Sequence, residues 1–212
     1  MTAAIAAPSR QVVLRGVSWG TYQALVRDLE SEPGKRLTYD QEILEIMVPL
    51  PSHEGYKKLL GRMVEVTTEE TETEIRSLGS TTWSREDLRK GLEADECYYI
   101  QNERAVRGQD AIDLGVDPPP DLAIEVDITS SSMERMGIYR ALGVPEVWRF
   151  DGEVLRIYRL VAGDYREQDA SEALPLLEKG EILRFLQMSG TMGETSWVRA
   201  FRRWVREKML GS

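Results

Sequence analysis

The chain has 212 residues, 42% of them hydrophobic, which is enough for one sizeable core, so we expect a single domain over residues 1–212. Its formal net charge of −9 argues against a surface that attracts nucleic acid throughout, so any DNA contact needs a local basic patch. A single cysteine excludes an internal disulfide, and the lack of a signal-peptide core or of a run of roughly 20 apolar residues predicts a cytoplasmic protein without a membrane span.

The first third of the chain predicts a helix, a hairpin and a second helix. Apolar residues recur at helical spacing over residues 17–29, where Ser18 has the side chain of an N-cap. Residues 36–48 alternate around a polar turn, which predicts a β-hairpin. Ser52 then caps a second helix that runs to about Glu70.

Five strand-like runs and one more helix follow, and the runs predict the sheet of the domain. They cover residues 74–79, 96–100, 122–127, 146–150 and 154–158. Ser130 or Ser131 caps the helix between the third and fourth runs, in which apolar residues recur at helical spacing from Met133 to Leu142. The Asp-Gly pair at 151–152 is a strong hairpin signal between the last two runs.

The third of these runs carries the clearest functional signal. Alternation along a strand places Asp121, Glu125 and Asp127 on one face and apolar side chains on the other. Burying carboxylates is costly unless a cation neutralises them, and hard divalent metals are the usual partners of such oxygen clusters. An acid in the middle of an apolar strand is hard to explain structurally, so Glu125 predicts a functional site. Asp121 follows three prolines, where turn or cap duty accounts for it.

Three segments together resemble a known family. GLEADECYYI (91–100), PPPDLAIEVDITSSS (118–132) and IYRALGVPEVWRFDG (138–152) are similar to the Uma-two-type restriction endonucleases, a bacterial family of the PD-(D/E)XK nuclease superfamily. The resemblance covers roughly residues 36–160, which would form the nuclease-like core. It implies an α/β (α+β) fold with a restriction-endonuclease-like mixed central sheet flanked by helices. It also implies an endonuclease that hydrolyses DNA with Mg²⁺ or Mn²⁺.

The resemblance also implies the metal ligands. The first acidic position of the superfamily falls on Asp95, where the proline of the motif is replaced by Ala94, and the second falls on Glu125. Two carboxylates from adjacent strands can hold Mg²⁺ against a phosphodiester, which polarises the phosphoryl oxygen and lowers the pKa of an attacking water. Glu54 resembles an acid that some members add to this site. Its alternative role is that of a first-turn acid favoured by the helix dipole and paired with Lys58.

The lysine of the superfamily motif is missing. Two residues after Glu125 the chain has Asp127, which either assists at the site or bonds to backbone amides ahead of the next helix. Arg135 stands where relatives carry a lysine, and arginine can stabilise a pentacovalent phosphate but cannot exchange protons at neutral pH. Lys57 and Lys58 are the other candidate cations. The missing lysine keeps a second hypothesis open, a catalytically inactive nuclease-fold module that binds protein or nucleic acid.

The sequence assigns no catalytic or metal-binding role to His53 or Cys97. His53 is the only histidine, which excludes multi-histidine zinc sites, and its place at a helix start predicts a surface position. Cys97 is expected to be a small buried hydrophobe.

The C-terminal helical appendage, residues 182–212, supplies a basic patch. Residues 197–212 carry a net charge of +4. Their apolar stripe comprises Trp197, Phe201, Trp204 and Val205. The helix either tracks a DNA backbone with its charged face or docks its aromatic stripe on the domain or a second subunit, with solvated arginines. A homodimer is a candidate assembly because cutting both strands of a duplex needs two sites.

Overall fold

The computed structural model describes residues 11–29, 34–49, 51–128 and 133–211. Within these ranges the chain forms a mixed α and β fold with two sheets. The helices are α1 (Trp19–Leu29), α2 (Pro51–Glu70), α3 (Glu103–Val106), α4 (Arg135–Leu142), α5 (Lys179–Met188) and α6 (Glu194–Leu210), with a 3₁₀ turn at Ser189–Thr191. None of the helices in these ranges is long and apolar enough to cross a bilayer.

The first sheet is antiparallel and contains the predicted hairpin. Its strands are β1 (Gln11–Arg15), β2 (Arg36–Asp40), β3 (Ile43–Met47), β5 (Thr82–Arg85) and β6 (Lys90–Glu93), in the order β1-β3-β2-β6-β5. Helix α1 covers this sheet, and its Tyr22 ring stacks on Tyr39 of β2 at 4.7 Å between centroids. Gly91 of β6 permits this contact, because a Cβ there would overlap the Tyr22 ring and lie 2.9 Å from Ser84 Cβ.

The second sheet is mixed and forms the centre of the molecule. Its strands are β4 (Arg76–Ser77), β7 (Glu96–Tyr99), β8 (Leu122–Val126), β9 (Glu146–Phe150), β10 (Leu155–Val161) and β11 (Asp164–Gln168), in the order β11-β10-β9-β8-β7-β4. Only β8 and β9 pair in parallel, and helix α4 lies in the crossover between them. Every residue of β8 is buried, so this strand packs against core residues on both faces of the sheet.

Helix α6 belongs to the main core. Trp197, Phe201 and Val205 are buried against α2 and α5, and Trp197 Nε1 donates to the Phe185 carbonyl at 2.6 Å. The aromatic stripe therefore docks on the domain, as the second interpretation of this helix predicted. Two of its arginines are not merely solvated, since Arg202 and Arg206 both pair with Glu70 at the end of α2.

Several predicted elements differ from the structure. The run at 74–79 forms only the two-residue strand β4, and β1, β5, β6 and β11 had no prediction. The cap at Ser130 or Ser131 lies outside the described residues. Helix α4 begins at Arg135, and the Glu134 carboxylate accepts from Gly137 N at 2.6 Å in the role of the cap. Strands β5 and β6 are short and β11 is polar, so pairing with neighbours, not propensity, makes these three segments strands.

Candidate active site

The two acids implied as metal ligands face each other across β7 and β8. These strands are antiparallel with Glu96 opposite Ile124, so one further step along the same register brings Asp95 opposite Glu125. Asp95 lies where β6 of the first sheet ends and β7 of the second begins. Both side chains are buried, with 0% of Asp95 and 6% of Glu125 exposed. The acids are therefore placed by the junction of the two sheets.

Asp95 is held by three different elements. Its Oδ2 accepts from Val126 N on β8 at 2.6 Å and lies 3.0 Å from His53 Nε2 on α2. Its Oδ1 forms an ion pair with the guanidinium of Arg36 at the start of β2. Arg36 is itself only 4% exposed. Asp95 is thus a fully engaged carboxylate whose charge is balanced by a buried arginine.

Glu125 is engaged just as fully, by helix α4. Arg135 donates through Nε to Oε2 at 3.0 Å and through a terminal nitrogen to Oε1 at 2.6 Å, and the Tyr139 hydroxyl also donates to Oε1. Arg135 further donates to Thr38 Oγ1 at 2.5 Å and to the Glu93 carbonyl at 2.7 Å. Burial lowers the pKa of Arg135, but Glu125 more than offsets this and raises it above its ordinary value. Arg135 is therefore charged and ties the acid strand to the first sheet.

Glu54 lies at the exposed rim of the same cluster, with 46% of its side chain accessible. It is 3.4 Å from Arg36, which also pairs with Asp95, and 3.7 Å from Lys57 Nζ. The predicted pairing with Lys58 is wrong, because Lys58 instead lies 3.9 Å from Glu96. Lys57 lies three residues after Glu54 on α2, so it is on the same side of the helix as Glu54 and pairs with it.

Lys57 is the buried lysine of this region. It is 7% exposed and its Nζ donates to Ser80 Oγ at 2.6 Å, while Ser80 Oγ lies 3.3 Å from the Asp95 carbonyl. Lys57 is therefore linked through Ser80 to the backbone of Asp95. Of the two lysines named from the sequence, Lys57 is the buried one and the one that pairs with Glu54.

Asp127 and Asp121 lie at opposite ends of β8. Asp127 pairs with Arg149 of β9 at 2.5 Å and lines a cavity that also touches Glu125 and Arg135. Asp121 accepts from Ile100 N at 2.7 Å and Asn102 N at 2.9 Å. Asp121 therefore holds the turn that follows β7, which agrees with the turn or cap duty expected of it. Asp127 lies near the site.

His53 is where the sequence prediction was wrong. The residue is 1% exposed, not on the surface, and it contacts Asp95. Burial, and after it the charge of Arg36, lowers the pKa of His53 to about 4, so the ring is neutral at pH 7. His53, Arg36 and Tyr139 were all missed as site residues, because each reaches the acids only through the packing of distant elements.

The carboxylate oxygens of Asp95 and Glu125 are the kind of donor that suits a hard divalent ion. Among the residues that the structure describes, no three His, Cys, Asp or Glu side chains converge as a metal cage. Mg²⁺ is commonly held by one or two carboxylates together with waters and substrate phosphates, so Asp95 and Glu125 would suffice. An arginine balances the charge of each acid, Arg36 for Asp95 and Arg135 for Glu125. A metal ion could therefore bind the carboxylates only if these arginines gave up some of their contacts with them.

Comparisons with known proteins agree with the resemblance. The Uma2 family model, described as "Putative restriction endonuclease", matches residues 19–192. A crystal structure of a "putative nuclease belonging to DUF820" from Anabaena variabilis aligns with a TM-score of 0.48 and 14% identity, covering 76% of this chain and 90% of that one. No curated protein matches.

Proposed function

The chain belongs to the Uma2 family, and from this membership we propose that it is an endonuclease that hydrolyses DNA phosphodiester bonds with Mg²⁺ or Mn²⁺. One observation supports the proposal: two carboxylates, Asp95 and Glu125, are buried close together at the junction of two sheets, where Asp95 Oδ2 accepts from the backbone N of Val126, the residue after Glu125. Buried acids in this arrangement are expensive without a function that uses their charge.

Asp95 and Glu125 would hold the ion. Bound there, it supplies polarisation of the phosphoryl oxygen and a lowered pKa for its water. The chain's own residues prepare the donors: Val126 N fixes one oxygen of Asp95, and the Tyr139 hydroxyl fixes one oxygen of Glu125. Such positioning lowers the cost of organising ligands around substrate.

The charged residues around the acid pair have separate tasks. Arg135 is permanently charged, so it serves as an electrostatic partner for the phosphoryl group and not as a proton carrier. Glu54 is the exposed acid at the rim, where solvent and substrate can reach it. Lys57, anchored by Ser80, supplies the lysine charge that the strand motif lacks.

A second function is favoured by a specific observation. Both oxygens of Glu125 and both oxygens of Asp95 already have protein partners, and each acid has its own arginine. A carboxylate pair neutralised in this way is also what a binding module without catalysis would retain. In that case the fold would bind nucleic acid or protein and cut nothing.

Calorimetric titration with Mg²⁺ and Mn²⁺, together with plasmid nicking in the same buffers, separates the two. The variants are Glu125→Gln and Asp95→Asn, and the matched control is Glu153→Gln, an exposed glutamate in the turn between β9 and β10. We expect wild type and control to bind metal and nick DNA, while both site variants lose the two activities and keep a folded circular dichroism spectrum. A wild type that binds no metal at millimolar concentration and leaves DNA intact refutes the enzyme proposal.

A further inference from the structure

A cavity of about 320 Å³ opens beside the Glu125–Arg135 pair. It lies between the ends of β3 and β8 and the start of α4. Besides the pair itself, its walls include Met47, Met133, Met136, Asp127, Glu134 and Arg149. The proposed reaction does not use any of these six residues, so the cavity is a feature that the mechanism leaves unexplained.

The apolar part of the cavity is made of methionines from two elements. Met47 ends β3, and Met133 and Met136 flank the start of α4. Thioethers are polarizable, adapt to the shape of a ligand and make favourable contacts with aromatic rings. Such walls suit a flat aromatic group better than a sugar or a phosphate.

The polar part of the cavity is rich in hydrogen-bond acceptors. Asp127 is oriented by Arg149 at 2.5 Å. Glu134 accepts from Gly137 N at 2.6 Å through Oε2. A carboxylate has about four acceptor positions, so Glu134 retains capacity for a ligand. The cavity therefore offers acceptors to a group that carries N–H donors, and two arginines, Arg135 and Arg149, also line it.

We infer that this cavity takes an unpaired nucleobase next to the cleaved phosphodiester, so that the substrate is single-stranded or locally unpaired DNA. The inference rests on the proposed nuclease function. A base stacked in a duplex cannot enter a side cavity without being unpaired and unstacked, which costs a few kcal/mol in the duplex and far less in a single strand. The carboxylates favour bases with an exocyclic amino group, which cytosine, adenine and guanine have and thymine lacks.

The neighbouring surface continues the path of a strand. A second cavity of about 390 Å³ shares Met133 and Glu134 with the first and carries Arg15 of β1 at its edge. An arginine at that place can pair with the phosphate that follows the bound base. The strand would thus run from the acids, past the base cavity, toward β1.

The test uses single-stranded thymidine oligonucleotides that contain one cytosine, and compares them with the same strand carrying thymine or an abasic site there and with the matched duplex. We expect Mg²⁺-dependent cleavage beside the cytosine, slower by about five- to a hundredfold with the abasic site, and slower again in the duplex. Met133→Trp, which fills the cavity, should slow cleavage by a similar factor without changing Mg²⁺ binding. Met133→Leu is the control and should stay near wild type.

A second variant tests the cavity without changing the packing around Met133. Glu134→Gln keeps the length of the side chain but replaces one acceptor by a donor, so the preference for cytosine over thymine should shrink. Equal cleavage of single strand, abasic strand and duplex overturns the base cavity and leaves the nuclease proposal standing. Absence of cleavage of every DNA, together with absence of metal binding, overturns both.

Discussion

The contact between Arg135 and Glu125 makes the sharpest quantitative prediction. Three guanidinium nitrogens reach Glu125, Thr38 and the Glu93 carbonyl, and the two charged side chains are only 11% and 8% exposed. Arg135→Met leaves Glu125 buried without its charge partner, and breaking a buried pair in this way costs about 3–5 kcal/mol. The free energy of unfolding should fall by that amount at pH 7.

Arg135→Lys should lower the free energy of unfolding by less than Arg135→Met, because lysine keeps the positive charge. It still loses the forked geometry of the guanidinium. A single ammonium cannot contact Glu125, Thr38 and Glu93 at once, so at least one hydrogen bond to a charged group disappears, at about 1.5–3 kcal/mol. In the nicking assay the same variant should keep the activity of the wild type, because lysine keeps a positive charge beside Glu125.

Urea unfolding followed by tryptophan fluorescence measures both costs. The matched control is Arg140→Met on the same helix, whose partner Asp164 and whose own side chain are both mostly exposed, so its cost should stay within about 1 kcal/mol. If Arg135→Met is as mild as the control, Glu125 is not an internally compensated acid and the description of the site fails.

Three further outcomes follow from burial. Trp197→Ala removes a fully buried ring between α6 and α5 and should cost about 3–5 kcal/mol in urea unfolding, where a cost below 1 kcal/mol would mean that α6 is not part of the core. Burial raises the pKa of the Cys97 thiol to about 12, so Ellman's reagent at pH 8 should label it only in urea, and rapid native labelling would contradict its burial. Burial raises the pKa of the Glu96 carboxyl. The folded state then binds the proton more tightly than the unfolded state does. The free energy of unfolding therefore declines as the pH rises from the pKa of Glu96 in the unfolded state through its pKa in the folded state. Glu96→Gln should therefore be more stable than wild type at pH 7, and the gain should shrink below pH about 4.3, which urea titrations at the two pH values can check.

Local sequence information was enough for the elements with strong periodicity and for Glu125. The hairpin at β2 and β3, the helix α2 and the strand β8 agree with their predictions, because alternation and helical spacing are properties of neighbouring residues. Glu125 stands out for the same reason, as a charge in a run of apolar residues. The expectation that Asp95 shares a site with it came from family resemblance, and the strand register places the two acids opposite each other.

The partners of those acids were decided only by the tertiary structure. Arg36 comes from the hairpin, His53 from the first turn of α2 and Tyr139 from the crossover helix, and no local pattern marks any of them as neighbours of a carboxylate. A helix-start histidine usually faces solvent, and this one is buried because the junction of two sheets closes over it. Sequence alone therefore marked Glu125 as a buried charge. Which opposite charge offsets each buried acid depends on contacts between distant segments, because the cost of a buried ion is set by its three-dimensional surroundings.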